Sequence, residues 1–179
     1  GDATAILRHS VAAGRASARS GAHTQAAQFF ERALERALMA PAAEQAALLE
    51  AVASEYYLID RLEDAIVAST RALRLREAAD DPRGVSANHH ALAVYHWYNA
   101  ERPAAEVPAR AAVDVYAGRD VPDGDRAVLG HAYAMQAFLA MHASDVDSAG
   151  ELIDAAHRTA TGAIDDPTIG VRVALIGGL

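Results

Sequence analysis

The chain has 179 residues, a formal net charge of -8 and no cysteine, and all 16 of its Lys+Arg positions are arginine. Its length suits one compact unit or one short repeat array, and the acid excess gives no drive toward nucleic-acid phosphates, so no direct nucleic acid contact is expected. The absence of lysine removes P-loop nucleotide binding and Schiff-base chemistry, and the absence of cysteine removes disulfides, thiol catalysis and thiolate-held zinc.

Hydrophobic residues make up 52% of the chain but aromatics only 6%. The excess is mostly alanine, which favours close-packed helices over sheets, and an all-α fold is the expectation. No apolar run reaches the roughly 18 to 20 residues needed to cross a bilayer, so a soluble, cytoplasmic protein without membrane contact is expected. There is no initiator methionine and the last residues are apolar without a helix-ending cap. The chain therefore reads as a piece of something longer.

In chain order, helices are expected over residues 4–19, 24–39, 41–59, 62–79, 82–99, 102–116, 125–143 and 146–161, with a partial ninth from Pro167. Ser20-Gly21 and Asp60-Arg61 separate the first two pairs. Asp60-x-x-Glu63 has the form of a capping box, and Ser144-x-x-Asp147 is a second version. The five residues Asp80 to Gly84 form the joint between the fourth and fifth helices. The stretch from Gly118 to Asp125 is the longest loop. Prolines 41, 82, 122 and 167 recur 41, 40 and 45 residues apart. Proline is favoured in a first helical turn, where its missing N–H needs no partner, so each marks a helix beginning.

A second regularity lies between them. Ala26, Phe30 and Ala33 recur as Ala65, Ser69 and Ala72, as Ala105, Ala109 and Ala112, and as Ala149, Ile153 and Ala156. Offsets of four and seven put each trio on one helical face. Another small residue stands 12 positions before each first alanine, at Gly14, Ala53, Ala93 and Ala137. Small residues at fixed places let two helices approach closely. Each unit is thus a helical hairpin, its first helix carrying the upstream small residue and its second the alanine pair.

This signature resembles the tetratricopeptide repeat (TPR). The resemblance implies antiparallel hairpins stacked into a right-handed TPR-like superhelix (an α-α solenoid) over a single domain, residues 1–179. The period of 39 to 44 residues exceeds the ~34 of the standard repeat, and Ser69 and Ala109 replace the large aromatic of the second helix. A narrower comparison rests on Arg71-Ala72-Leu73-Arg74-Leu75-Arg76-Glu77, Asp80-Asp81-Pro82-Arg83-Gly84, the stretch from Leu92 to Tyr98, and Ala104-Ala105-Glu106. These resemble the helical region of large LuxR-family ATP-binding transcriptional regulators, in which an ATPase module precedes such repeats and a helix-turn-helix follows them.

The resemblance also implies which side chains line a binding groove. Counted from the small residue, they are Arg8, Arg15 and Arg19 in the first unit and Glu50, Ser54, Tyr57 and Leu58 in the second. The third gives His90, Val94, Trp97 and Tyr98, and the fourth His131, Phe138, Met141 and His142. Such a surface suits an extended peptide or an acidic tail held by arginines and aromatic faces. Aromatics at helical spacing, Trp97 and Tyr57 among them, more often serve interhelix packing than a binding platform, and the arginines serve equally well as a solvated face. The same register turns His89 and His96 into the packed interface.

Eight histidines raise the question of metal. His89 and His96 are seven residues apart and His131 and His142 eleven. Zinc sites favour tighter spacing completed by carboxylates or thiols, so neither metal nor cofactor is expected. No G-x-S-x-G elbow, H-E-x-x-H or glycine-rich phosphate loop occurs, and no enzyme activity is expected. Glu31, Glu35, Asp145 and Asp147 are explained by solvation and capping. The expected function is a non-catalytic protein-interaction and regulatory scaffold for a protein or peptide partner. The alternative is a small-molecule sensor lined by Tyr57, His90, Trp97 and Phe138. A third expectation, compatible with the scaffold reading, is self-association through terminal helices to give a homo-oligomer, because the last helix would carry an uncovered face of Ile169, Val173 and Ile176.

Overall fold

A computed structural model describes residues 2–160, and over that range the chain is all-α. Eight α-helices follow one another: α1 (Asp2–Arg19), α2 (His23–Arg36), α3 (Ala42–Leu58), α4 (Leu62–Ala78), α5 (Pro82–Tyr98), α6 (Arg102–Asp114), α7 (Arg126–His142) and α8 (Val146–Ala160). A short 3₁₀ turn, Asp123–Asp125, leads into α7. The expected helix from Pro167 lies outside the described residues.

The hairpins owe their similarity to their turns. Gly21, Asp60, Asp80, Ala100 and Ser144 all have positive φ, between 49° and 76°. The next residue sends its N–H five places back: Ala22 to Ser17 O, Arg61 to Tyr56 O, Asp81 to Arg76 O, Glu101 to His96 O and Asp145 to Ala140 O, at 2.8 to 3.1 Å. Each left-handed residue also donates three places back, as Asp60 does to Tyr57 O and Ala100 to Trp97 O. This bond pair satisfies carbonyls that a helix end would otherwise leave open, as in a Schellman motif.

The turn then starts the next helix without a spare residue. Ala22, Arg61, Glu101 and Asp145 accept the first intrahelical bond, and the donors are Ala26, Ala65, Ala105 and Ala149, the leading alanines of the repeat signature. This geometry corrects the capping-box expectation. Asp60 and Ser144 are the left-handed last residues of their turns rather than N-caps, and Arg61 at the α4 N-cap makes no side-chain cap bond. In the fourth hairpin the cap sits one residue later, with Asp145 Oδ1 accepting the Ser148 N–H at 3.1 Å. That bond holds the Asp145 carboxyl below its ordinary range.

The signature positions are the core. Ala26, Ala33, Ala65, Ala72, Ala105, Ala112, Ala149 and Ala156 are at most 1% exposed, as are Ala53, Ala93 and Ala137. Gly14 plays the same part against Phe30, whose ring would stand 2.8 Å from a Cβ at position 14. Buried alanines supply little apolar area each, so the stability of such a core rests on close approach of many backbones.

The chain divides into two compact units at the Asp81–Pro82 joint. In the first, α1 packs on α2, α2 on α3 and α3 on α4. Polar pairs reinforce these contacts. The Arg76 guanidinium forks onto Glu50 at 2.9 and 2.8 Å and reaches Asp81 at 3.0 Å, tying the end of α4 to α3 and to the joint. Glu31 on α2 accepts the Tyr56 hydroxyl of α3 at 2.7 Å and Arg61 at 3.1 Å. Glu55, buried on α3, shares a 2.8 Å hydrogen bond with His23.

In the second unit α5 packs on α6 and α7, α6 on α7, and α7 on α8. Two side chains finish the carbonyls of the proline-containing helix α6: Ser86 Oγ donates to Ala112 O at 2.7 Å, and Gln136 Nε2 to Ala109 O at 3.0 Å. The loop before α7 is closed from inside, where the Tyr116 hydroxyl donates to Asp125 Oδ2 at 3.1 Å.

Candidate binding site on α5 and α7

The densest cluster of predicted site residues falls within the second unit. His90 and Trp97 on α5 are seven residues apart, as are His131 and Phe138 on α7, so each pair lies on one helical face. The two helices pack with these faces in step. The His90 and His131 rings are 5.9 Å apart, and the Trp97 and Phe138 rings meet edge to face at 4.9 Å and 81°. His142 joins them, 4.6 Å from Trp97 and 4.2 Å from Phe138.

Packing and display are both present at Trp97. With Phe138 and Val94 it is partly buried against a core cluster of Ala93, Ala105, Ala109, Met135 and Leu139. Short alanines on α5 and α6 leave the room that the indole fills. His142 is exposed, and its Nδ1 donates to Phe138 O at 2.8 Å, which fixes the ring against the aromatic pair and leaves Nε2 as its other polar atom. Tyr98 is 60% exposed beside this cluster in sequence.

Arg102 was not among the expected site residues. As the first residue of α6 it lays its guanidinium over the Trp97 ring, 5.3 Å from the centroid. The sequence signal for it is local: a tight turn from Asn99 to Glu101, followed by Pro103 near the helix start, brings the residue five places after Trp97 back toward it. His96, expected to pack inward, is half-buried and shares a 2.6 Å hydrogen bond with Glu101 at the same turn. That bond lowers the Glu101 carboxyl from its ordinary range.

The remaining predicted residues belong to the first unit. Arg15 and Arg19 are exposed on α1 and have no ion pair among the described residues, and Tyr57 is half-buried on α3. Its neighbour Tyr56 is the more constrained ring. Arg61 lies 4.1 Å over its centroid, and burial, followed by the hydrogen bond to Glu31, pushes its hydroxyl up to about 12. Among the described residues no group of three or more His, Asp or Glu is arranged to hold a metal ion. No described helix is long and apolar enough to cross a membrane.

No protein-family model matches the chain, and no curated protein matches it. Among solved structures it is similar to the crystal structure of BtubC (BKLC) from P. vanneervenii, with a TM-score of 0.79 at 18% sequence identity over 93% of this chain and 67% of that one. At this identity the likeness concerns the fold alone, an all-helical, repeat-like arrangement.

Proposed function

We propose that the chain is a non-catalytic, TPR-like protein-interaction segment of a bacterial LuxR-type transcriptional regulator, binding a protein or peptide partner on the face shared by α5 and α7. The right-handed superhelix implied by the TPR resemblance is part of that reading. The observation that carries it is the pairing of equivalent positions on successive first helices: Trp97 with Phe138 and His90 with His131, each 41 residues apart. A repeat that aligns aromatic and imidazole rings in step builds a graded surface suited to an extended segment. The regulator part rests on the sequence resemblance of residues 71–106. It predicts an ATP-binding module encoded before this segment and a helix-turn-helix after it.

The test uses the 179-residue chain as bait. Tyr98 and His142 are exposed, so the double variant Y98A/H142A is expected to fold and to lose the retained partner. L38A/M39A, which removes a pair 75% and 96% exposed in the first unit, is expected to keep it. Equal retention by both variants, or none by the parent chain, overturns the assignment.

A further inference from the structure

We infer that the α5–α7 face takes its partner through a carboxylate: an acidic peptide segment whose oxyanion is held by Arg102 while an adjacent apolar side chain rests on Trp97, Phe138 and His142. This deepens the partner-binding reading and rests on it.

The argument starts from what Arg102 lacks. Three half-buried arginines can be compared. Arg76 is hydrogen-bonded to Glu50 and Asp81 at 2.8 and 3.0 Å, and Arg126, whose Nε also makes no hydrogen bond, still has the Asp123 carboxylate 2.9 Å away. Arg102 has no ion pair among the described residues, and its Nη2 is buried without a hydrogen-bond partner. A half-buried guanidinium with no ion pair keeps its charge available, at its accessible edge, to an anion from outside. The nearest acid in sequence, Glu101, is bonded to His96 at 2.6 Å instead. Glu106, one helical turn along α6, forms no ion pair with Arg102 among the described residues.

The surroundings select the anion. The guanidinium lies over the Trp97 ring, 5.3 Å from its centroid, and its planar fork suits the two oxygens of a carboxylate. Glu101 and Glu106 oppose a dianionic phosphate more than a single carboxylate. The rings of Trp97, Phe138 and His142, within 4.9 Å of one another, provide an apolar bed beside the charge. Complementarity therefore favours a segment that alternates acidic with large apolar side chains.

Trp97 is the only tryptophan and reports on the site directly. Its fluorescence is to be quenched with iodide and with caesium at constant ionic strength, in the parent chain, R102Q and R102K. Although the chain carries a charge of -8, iodide is expected to quench at least about twofold better than caesium; R102Q reverses the preference and R102K keeps it. In parallel, N-acetyl-Leu-Glu-Phe-Glu-amide is expected to shift Trp97 emission at concentrations about tenfold lower than its glutamine counterpart, a difference lost in R102Q. Caesium quenching equal to iodide, or equal response to the two peptides, overturns the inference. Neither readout needs the natural partner, so a failed capture experiment and a failed anion preference are separate results.

Discussion

Single side chains set the register of this fold, and their contributions can be read separately. A Cβ at Gly14 would stand 2.8 Å from the Phe30 ring. Gly14→Ala is therefore expected to destabilise by about 1 to 3 kcal/mol through overpacking, with part of the loss recovered in G14A/F30L, as a double-mutant cycle in urea would measure. Tyr116→Phe leaves the buried Asp125 short of a donor, and a loss of about 1 to 2 kcal/mol is expected in the same assay. Tyr56 predicts a pH dependence. Its hydroxyl is raised from 10.0 to about 12 in the folded chain, so the stability it contributes is fully present below pH 10 and is lost as the pH climbs through 12. Denaturation followed across that range should show the decline in the parent chain relative to Tyr56→Phe. The alanine and glycine positions of the core were legible in the sequence because a backbone approach tolerates only small residues. Arg102 was not, because its position over Trp97 depends on the turn between them.

At the level of elements, the recurring turn explains what sequence reading caught and what it missed. Helix starts were legible from proline and from the leading alanine, which donates the first hydrogen bond. The left-handed residue was legible only at Gly21; Asp60, Asp80, Ala100 and Ser144 occupy the same conformation with side chains that do not announce it. That is why Asp60-x-x-Glu63 resembled a cap. It also gives a prediction: Ala100→Gly relieves left-handed strain at φ 59° and should stabilise by about 0.5 to 1 kcal/mol. Gly21→Ala should cost about 1 kcal/mol, and thermal melts of the two variants should move in opposite directions. The α2 helix ends short of the expected residue 39 for a related reason. The sequence continues with Ala37, Leu38 and Met39, good helix formers, yet α2 stops at Arg36 and the last two are exposed. Apolar character there does not report burial.

On the scale of the whole chain, the core is assembled from contacts between helices close in sequence, and no described residue belongs to a strand. Such local topology predicts refolding in milliseconds or less within each unit, which stopped-flow fluorescence of Trp97 can follow for the second. The two units meet at the Asp81–Pro82 joint, where the fourth helix ends in the same turn that closes hairpins. The fold class and the repeating frame could be read because small residues recur with a period. The face proposed to take a partner could be read only as far as its rings; its charge arises from an arginine that the periodicity does not mark. The turn itself has a further consequence for how this chain can vary. Because the residue that closes one helix also opens the next, the hairpins behave as gears without slack. Adding one residue between Ala100 and Arg102 would turn α6 by about 100° about its axis and swing Ala105 and Ala109 away from α5. The segment between Tyr116 and Asp125 has room to absorb the same insertion. Length changes are therefore tolerated between Gly118 and Val121 and rejected at the tight turns.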